Sequence, residues 1–191
     1  MQIKFSREVD TVAGYARDEA MRTGWYGIGI DHIFLGMLRH SDNDVCSLLR
    51  GLEVDLDEVK EFIDSRLMQK KPVPYNDFEK VRMTGCAQNI MSLAVYEALK
   101  YGSREVLVTH LFLAMIRSEE SCVRTWLSDF DYNYSTLGAM MAEQDMLGVP
   151  SEPRHSRINE APAKPVDLSG ALSEQLRNLF ESCSSNSNTI S

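Results

Sequence analysis

Residues 19–39 read EAMRTGWYGIGIDHIFLGMLR, and residues 97–117 read EALKYGSREVLVTHLFLAMIR. The two stretches align without a gap. Glu19 falls on Glu97, Ala20 on Ala98, Gly24 on Gly102, His32 on His110, Phe34 on Phe112, Leu35 on Leu113, Met37 on Met115 and Arg39 on Arg117. The same offset of 78 positions (19 to 97) carries on through Val45 on Val123, Leu49 on Leu127 and Leu52 on Phe130. One register held over so long a run marks a tandem duplication. A chain built that way hides its apolar faces by packing one copy against the other.

Working outward, Ser6 stands where a helix cap is wanted, its hydroxyl able to accept from unpaired N–H groups of the first turn. Val9, Val12, Ala13, Ala16 and Ala20 follow at helical spacing, one apolar stripe on a helix of about 17 residues. Gly24 supplies the left-handed stop. Residues 25–30 read as a glycine-spaced loop, and Asp31 opens a second helix with Ile33, Phe34, Met37 and Leu38 turned inward. Ser41 or Asp42 is expected to cap a third helix carrying Val45, Leu48, Leu49 and Leu52. Asp55 with Glu58, close to a capping box, begins a fourth that buries Leu56, Val59, Phe62 and Ile63.

Residues 69–76, with two lysines and two prolines, form the link between repeats. Thr84 repeats the role of Ser6, and Ile90, Met91, Ala94 and Ala98 repeat the stripe as far as Gly102. Residues 109–116, 122–127 and 135–141 are the sixth to eighth helices. The expected fold is all-α: a tandem duplication of a four-helix motif, packed about a pseudo-two-fold axis. It occupies residues 1–147, with repeat one at about 5–68 and repeat two at about 83–146. Four prolines then mark residues 148–167 as a flexible linker, longer than a compact domain tolerates as loop. Residues 168–183 form an amphipathic helix with Leu168, Leu172, Leu176, Leu179 and Phe180 on one face, suited to docking on its own domain or in a partner's groove. Residues 184–191 are a disordered tail.

The chain has 191 residues and a net charge of -8, which argues against a nucleic-acid surface, since that needs a basic stripe. Its four cysteines, Cys46, Cys86, Cys122 and Cys183, are scattered with neither a disulfide framework nor zinc spacing. Reduced, mostly buried thiols are expected. The N-terminus lacks the apolar core of a signal peptide, and no apolar run approaches a membrane span. A cytoplasmic protein with no metal is expected.

With both copies in view, GIDHIFLGM and its counterpart LVTHLFLAM, each preceded by EA-x-x-x-G, resemble the Clp N-terminal repeat domain found at the front of Clp-type AAA+ unfoldases. Repeats of that family typically read EA-x-x-x-G, a short loop, then GTEHILLGL. The resemblance covers about residues 5–145 and implies two copies of a four-helix motif. It also implies a binding role without catalysis: taking up substrates or adaptors and delivering them to an unfolding ring and its peptidase.

In some family members the Glu of GTEH lies in a pocket for phosphorylated arginine, a carboxylate facing a guanidinium. The positions here are Asp31, a shorter acid, and Thr109, which has no charge, so at most one of the two could act that way. Both residues are also good helix caps. His32 and His110 sit at equivalent points with no second ligand at metal spacing, which favours packing at a helix start. Gly24, Gly27 and Gly29 are followed by no lysine to reach a phosphate, and no Walker A loop occurs in these residues, so no nucleotide cofactor is expected.

Cys46 maps to Arg124 and Cys122 to Asp44, so no cysteine is shared as a nucleophile would be, and no catalytic residue is expected. Met140, Met141 and Met146, closing the second repeat, read as core filling or as a pliable apolar groove. The expected function is a non-catalytic accessory or adaptor in Clp-dependent proteolysis or chaperoning, binding Clp unfoldase or peptidase subunits and substrate or adaptor proteins, without nucleic acid or membrane. Its rivals are the substrate-binding front of a longer Clp ATPase and an assembly factor that docks on the Clp peptidase core through Leu172, Leu176 and Phe180.

Overall fold

The computed structural model describes residues 3–69 and 71–148. The first repeat runs β1 (Lys4–Phe5), α1 (Arg7–Thr23), β2 (Gly27–Ile28), α2 (Ile30–Arg39), α3 (Asp44–Gly51) and α4 (Leu56–Leu67). The second runs β3 (Arg82–Met83), α5 (Gly85–Lys100), β4 (Glu105–Val106), α6 (Val108–Arg117), α7 (Cys122–Ser128) and α8 (Tyr134–Glu143). The copies match element for element at the offset read from the sequence. The fold is the expected duplication of a four-helix motif.

Several expected helix ends are in place. Ser6 Oγ accepts from Val9 N at 3.3 Å, and Thr84 Oγ1 accepts from Ala87 N at 3.2 Å. Asp55 Oδ1 takes the N–H groups of Asp57 and Glu58 at the start of α4. Gly24 ends α1 with φ of 91°, where a side chain would be strained and a Cβ would also strike Lys71 O.

Several features depart from the sequence reading, among them the inward positions Leu38, Leu52, Leu56 and Phe62, which are only partly buried. The start of α3 is capped by Asn43, not by Ser41 or Asp42, which are exposed. Asn43 Oδ1 accepts from Cys46 N at 2.9 Å while its amide donates to Met37 O at 2.9 Å, so one side chain ties the end of α2 to the start of α3. The link between repeats contains a 3-10 helix, Tyr75–Lys80, and is tied to the end of α1 by Gln69 N to Thr23 O and Val73 N to Met21 O. The lead-in and the glycine loop contribute two-residue strands. Finally, Cys86 is exposed rather than buried, because it lies in the first turn of α5, away from the stripe.

The strands explain how the copies join. β1 pairs in parallel with β4, Lys4 opposite Glu105 and Phe5 opposite Val106; β2 pairs in parallel with β3, Gly27 opposite Arg82 and Ile28 opposite Met83. Each repeat's lead-in therefore completes the other's loop. The exchange continues one residue on, with Ser6 N donating to Val106 O at 2.9 Å and Thr84 N to Ile28 O at 3.0 Å. Two-residue strands have too little sequence to show a two-residue period, and their pairing depends on the distant copy.

The core lies between α1 and α2, between α5 and α6, and across the repeat boundary, where α2 and α6 carry the largest buried side chains. Phe34 and Phe112 meet there, ring centroids 5.9 Å apart. Gly36 lets α2 lie close on α1: a Cβ there would stand 2.6 Å from Val12 O and 2.9 Å from Ala16 N. The linker after Gly148, the helix carrying Leu168, Leu172, Leu176, Leu179 and Phe180, and the terminal tail lie outside the described residues.

Candidate functional site

Asp31 and Thr109 occupy equivalent second positions of α2 and α6, but neither caps its own helix. The cap positions are Gly29 and Leu107, residues with no side-chain acceptor. The histidines supply what is missing. His32 Nδ1 accepts from Gly29 N at 2.9 Å, and His110 Nδ1 accepts from Leu107 N at 3.0 Å. That fixes the proton on Nε2 in both rings. His32 Nε2–H then donates to Thr23 Oγ1 at 3.0 Å, and the Thr23 hydroxyl donates in turn to Glu19 O at 2.8 Å. Tyr101 stands where Thr23 would be in the second repeat, so buried His110 Nε2 lacks that hydroxyl. Burial lowers both histidines to about 4, so both are neutral near pH 7. The packing role expected from the sequence is sharpened here into a helix-start clamp.

Freed from capping its own helix, Asp31 reaches across the repeat boundary. Its Oδ1 accepts from Cys122 N, the first residue of α7, at 3.0 Å. Burial raises the Asp31 carboxyl above the ordinary range, opposed by the hydrogen bonds from Cys122 and the charge of Arg66 on α4. The thiol of Cys122 is pushed up to about 11 by burial and then by Asp31, which leaves it a poor nucleophile. Thr109 has a different fate. It is 1% exposed, and its hydroxyl donates to Met146 O at 2.9 Å, fastening the turn after α8. The structure therefore puts Asp31 at the junction of the repeats and Thr109 inside its own.

The duplicated Glu19 and Glu97, noted in the sequence only as matching letters, are buried acids with cationic partners. Glu97 accepts from Arg117 at 2.6 Å and from the Tyr134 hydroxyl at 2.6 Å. Glu19 takes Arg22 at 2.6 Å and Arg39 at 3.5 Å. The signal was available: a charged pair repeated at one offset on otherwise apolar helix faces.

The surface beside the β2–β3 pairing is aromatic. Trp25 is 41% exposed and its Nε1–H donates to Leu67 O; Tyr26 is 47% exposed and its hydroxyl donates to Asp77; Tyr75 is 81% exposed. Met141 is buried, while Met140 and Met146 are half-exposed at the end of the second repeat. Among the described residues, no group of three acidic, histidine or cysteine side chains could hold a metal ion, and no helix is long and apolar enough to cross a membrane.

The crosswise join of two equal four-helix copies agrees with a family match. Residues 4–130, more than half the chain, match the Clp repeat (R) N-terminal domain. The chain belongs to that family.

This Clp N-domain is 26% identical over 117 residues to the negative regulator of genetic competence ClpC/MecB of Bacillus subtilis, a match covering 61% of this chain and 14% of that protein. It is 26% identical over 118 residues to the chaperone protein ClpB of Oceanobacillus iheyensis, with the same coverage of 61% and 14%. The chain thus spans only a small part of the length of these relatives. The N-terminal domain of the caseinolytic protease associated chaperone ClpD from Arabidopsis thaliana superposes with a TM-score of 0.55 at 12% identity, covering 74% of this chain and 96% of that one. A chain from structural investigations of a malarial protein secretion system superposes at 0.64 with 21% identity, covering 79% and 99%. At these identities the likeness is one of fold.

Proposed function

We propose that this Clp N-domain works as a non-catalytic protein-binding module, an accessory or adaptor in Clp-dependent proteolysis or chaperoning. The observation that carries the reading is the exposed aromatic strip of Trp25, Tyr26 and Tyr75 along the seam where the two repeats exchange strands. Aromatic side chains held rigidly at a surface contribute large contact area at little entropic cost, which is why they dominate protein interfaces. Trp25 and Tyr26 are each fixed by a hydrogen bond to a neighbouring element.

Asp31 supplies the charged contact at the same boundary. A guanidinium brought by a substrate would share its carboxylate with Arg66, so recognition there is expected to be weak and to depend on one repeat only. Buried Thr109 takes no part in it. Expected partners are Clp unfoldase or peptidase subunits and the proteins they process, and a cytoplasmic setting suits such partners.

The test is a pull-down comparing the full chain, a version ending at Val149, and Tyr75→Ala combined with Trp25→Ala. Capture of Clp subunits that survives truncation but is lost with the aromatics supports the seam as the interface. Capture lost on truncation alone assigns docking to the segment with Leu172, Leu176, Leu179 and Phe180, the mode expected of an assembly factor. If none of the three retains a Clp component, the accessory reading fails.

A further inference from the structure

A second site lies in repeat two, in a cleft of about 450 Å³ between the end of α6, the face of α7 and the start of α8. Arg117, Arg124, Tyr132, Asn133, Tyr134 and Ser135 line it. Its cations are unevenly satisfied. Arg117 is held by Glu97, a fully buried acid that also takes the Tyr134 hydroxyl. Lys100, just outside, donates to Tyr134 Oη at 2.7 Å. Arg124 has only a carbonyl: its Nη1 donates to Arg117 O at 3.2 Å, and among the described residues it forms no ion pair. A guanidinium carries five N–H donors, so most of those of half-buried Arg124 have no protein partner among the described residues.

The two copies differ in charge here. The positions of Arg117, Arg124, Ser128, Asn133 and Ser135 correspond in repeat one to Arg39, Cys46, Arg50, Asp55 and Asp57. The first set carries two cations and no acid; the second carries two cations and two acids. In repeat one Asp55 caps the fourth helix, accepting from Asp57 N and Glu58 N, as Asn133 accepts from Ser135 N and Thr136 N in repeat two. Repeat two has neutral Asn133 and Ser135 where repeat one has Asp55 and Asp57, carries its cation at Arg124 instead of at the Arg50 position, and has a cleft lined by two tyrosines. This happens in a chain whose net charge is -8, against the general trend of its surface.

We infer that the Arg117–Arg124 cleft is a carboxylate-binding site, taking an acidic side chain from a segment of a partner protein. Arg124 makes the charge-assisted contact, and Arg117 remains committed to Glu97. Tyr132 and Tyr134 flank the ligand's aliphatic stem, and the amide of Asn133 and the hydroxyl of Ser135 offer neutral donors. The site goes beyond the seam proposed above and shares none of its residues.

The experiment is an amide NMR titration of the full chain with N-acetylglutamate, a hexaglutamate peptide and inorganic phosphate, each at the same ionic strength. Saturable shifts confined to residues 117, 124, 128 and 132–135, with the peptide binding more tightly than the single acid, are expected. Arg124→Cys, which restores the first-repeat residue, should weaken peptide binding by about ten-fold, as loss of one charge-assisted contact does. Ser135→Asp, which returns an internal acid, should abolish it while leaving the fold intact by circular dichroism. Arg50→Glu in repeat one should have no effect. The assignment is overturned if phosphate saturates the cleft and the carboxylates do not. Shifts spread over the surface without saturation, or an Arg124→Cys protein that binds as well as the parent, overturn the site itself. None of these readings depends on capture of a Clp component.

Discussion

Phe34 and Phe112 stack at 5.9 Å between ring centroids and 22° between planes, although 78 positions separate them in the chain. They are the same residue of the two copies, both fully buried, so the contact lies where the pseudo-two-fold axis passes through the core. Replacing either ring with alanine removes one wall of the boundary and leaves a cavity that the other copy cannot fill. Phe34→Ala and Phe112→Ala should each cost about 3–5 kcal/mol in urea unfolding. The double variant should cost less than their sum, because both empty one shared space.

Gly36 tests the packing within a single repeat. Its counterpart, Ala114, tolerates a methyl group, whereas a Cβ at Gly36 meets the backbone of α1 at Val12 and Ala16. Backbone cannot swing aside as a flexible side chain does. Gly36→Ala should therefore destabilise by about 1–3 kcal/mol through overpacking, despite alanine's better helix propensity. Ala114→Gly should cost only about 1 kcal/mol, the propensity term.

Removing a cation should distinguish the two buried acids. Arg117→Ala strips Glu97 of its guanidinium at a position with no exposure, leaving only the Tyr134 hydroxyl. A loss of about 2–4 kcal/mol is expected in chemical denaturation, discounted for the half-exposed arginine. Arg39→Ala should cost under about 1 kcal/mol, because Glu19 keeps its shorter contact to Arg22.

The long helices α1 and α5 were legible because their apolar stripes run over several turns and occur twice, whereas in the shorter helices of repeat one Leu38, Leu52, Leu56 and Phe62, expected inside, are only partly buried. Ser6, Thr84, Gly24 and Asp55 were legible because caps act locally. What the sequence hid depends on the other copy. Lys4–Phe5 gains its strand from Glu105–Val106, a hundred residues away, and nothing within two residues announces it. Asp31 looked like a cap because the acid stands at a helix start, yet His32 already holds that start and Asp31 serves α7 instead. Thr109 kept its place in the repeat but turned inward to Met146. Paired substitutions across the repeats, such as Asp55 and Asp57 to Asn133 and Ser135, mark where the copies have parted in chemistry while keeping one fold.

The paired histidines set an acid limit. Both are neutral in the folded protein and lowered to about 4, against an ordinary 6.5, chiefly by burial; the charge of Arg22 adds to this at His32. The unfolded chain therefore binds more protons than the folded one between these values. Stability from each ring is fully present above about pH 6.5 and is lost as pH falls toward 4, up to about 3 kcal/mol per ring. Denaturation midpoints should decline from pH 7 to pH 4.5, and His110→Asn should flatten roughly half of that slope, since an amide in its place does not titrate.

The Asp31 contact with Cys122 offers a test by thiol chemistry. The carboxylate holds the N–H of the first residue of α7 and also disfavours the adjacent thiolate, which burial has already pushed up. Asp31→Asn keeps the size and an acceptor oxygen but removes the charge. In a Cys86→Ser, Cys183→Ser background, which removes the exposed thiol and the cysteine outside the described residues, the pH profile of Cys122 alkylation should move down from about 11 but stay above the ordinary thiol value, because burial remains the larger cause. Asp31→Ala should show the same shift and in addition cost about 1 kcal/mol, the loss of a helix-start acceptor. An unchanged profile in both variants would mean that Asp31 does not face Cys122 in solution. The boundary would then be held without that contact, by the paired strands, the phenylalanine stack and the packing of α3 on α6 and of α4 on α7.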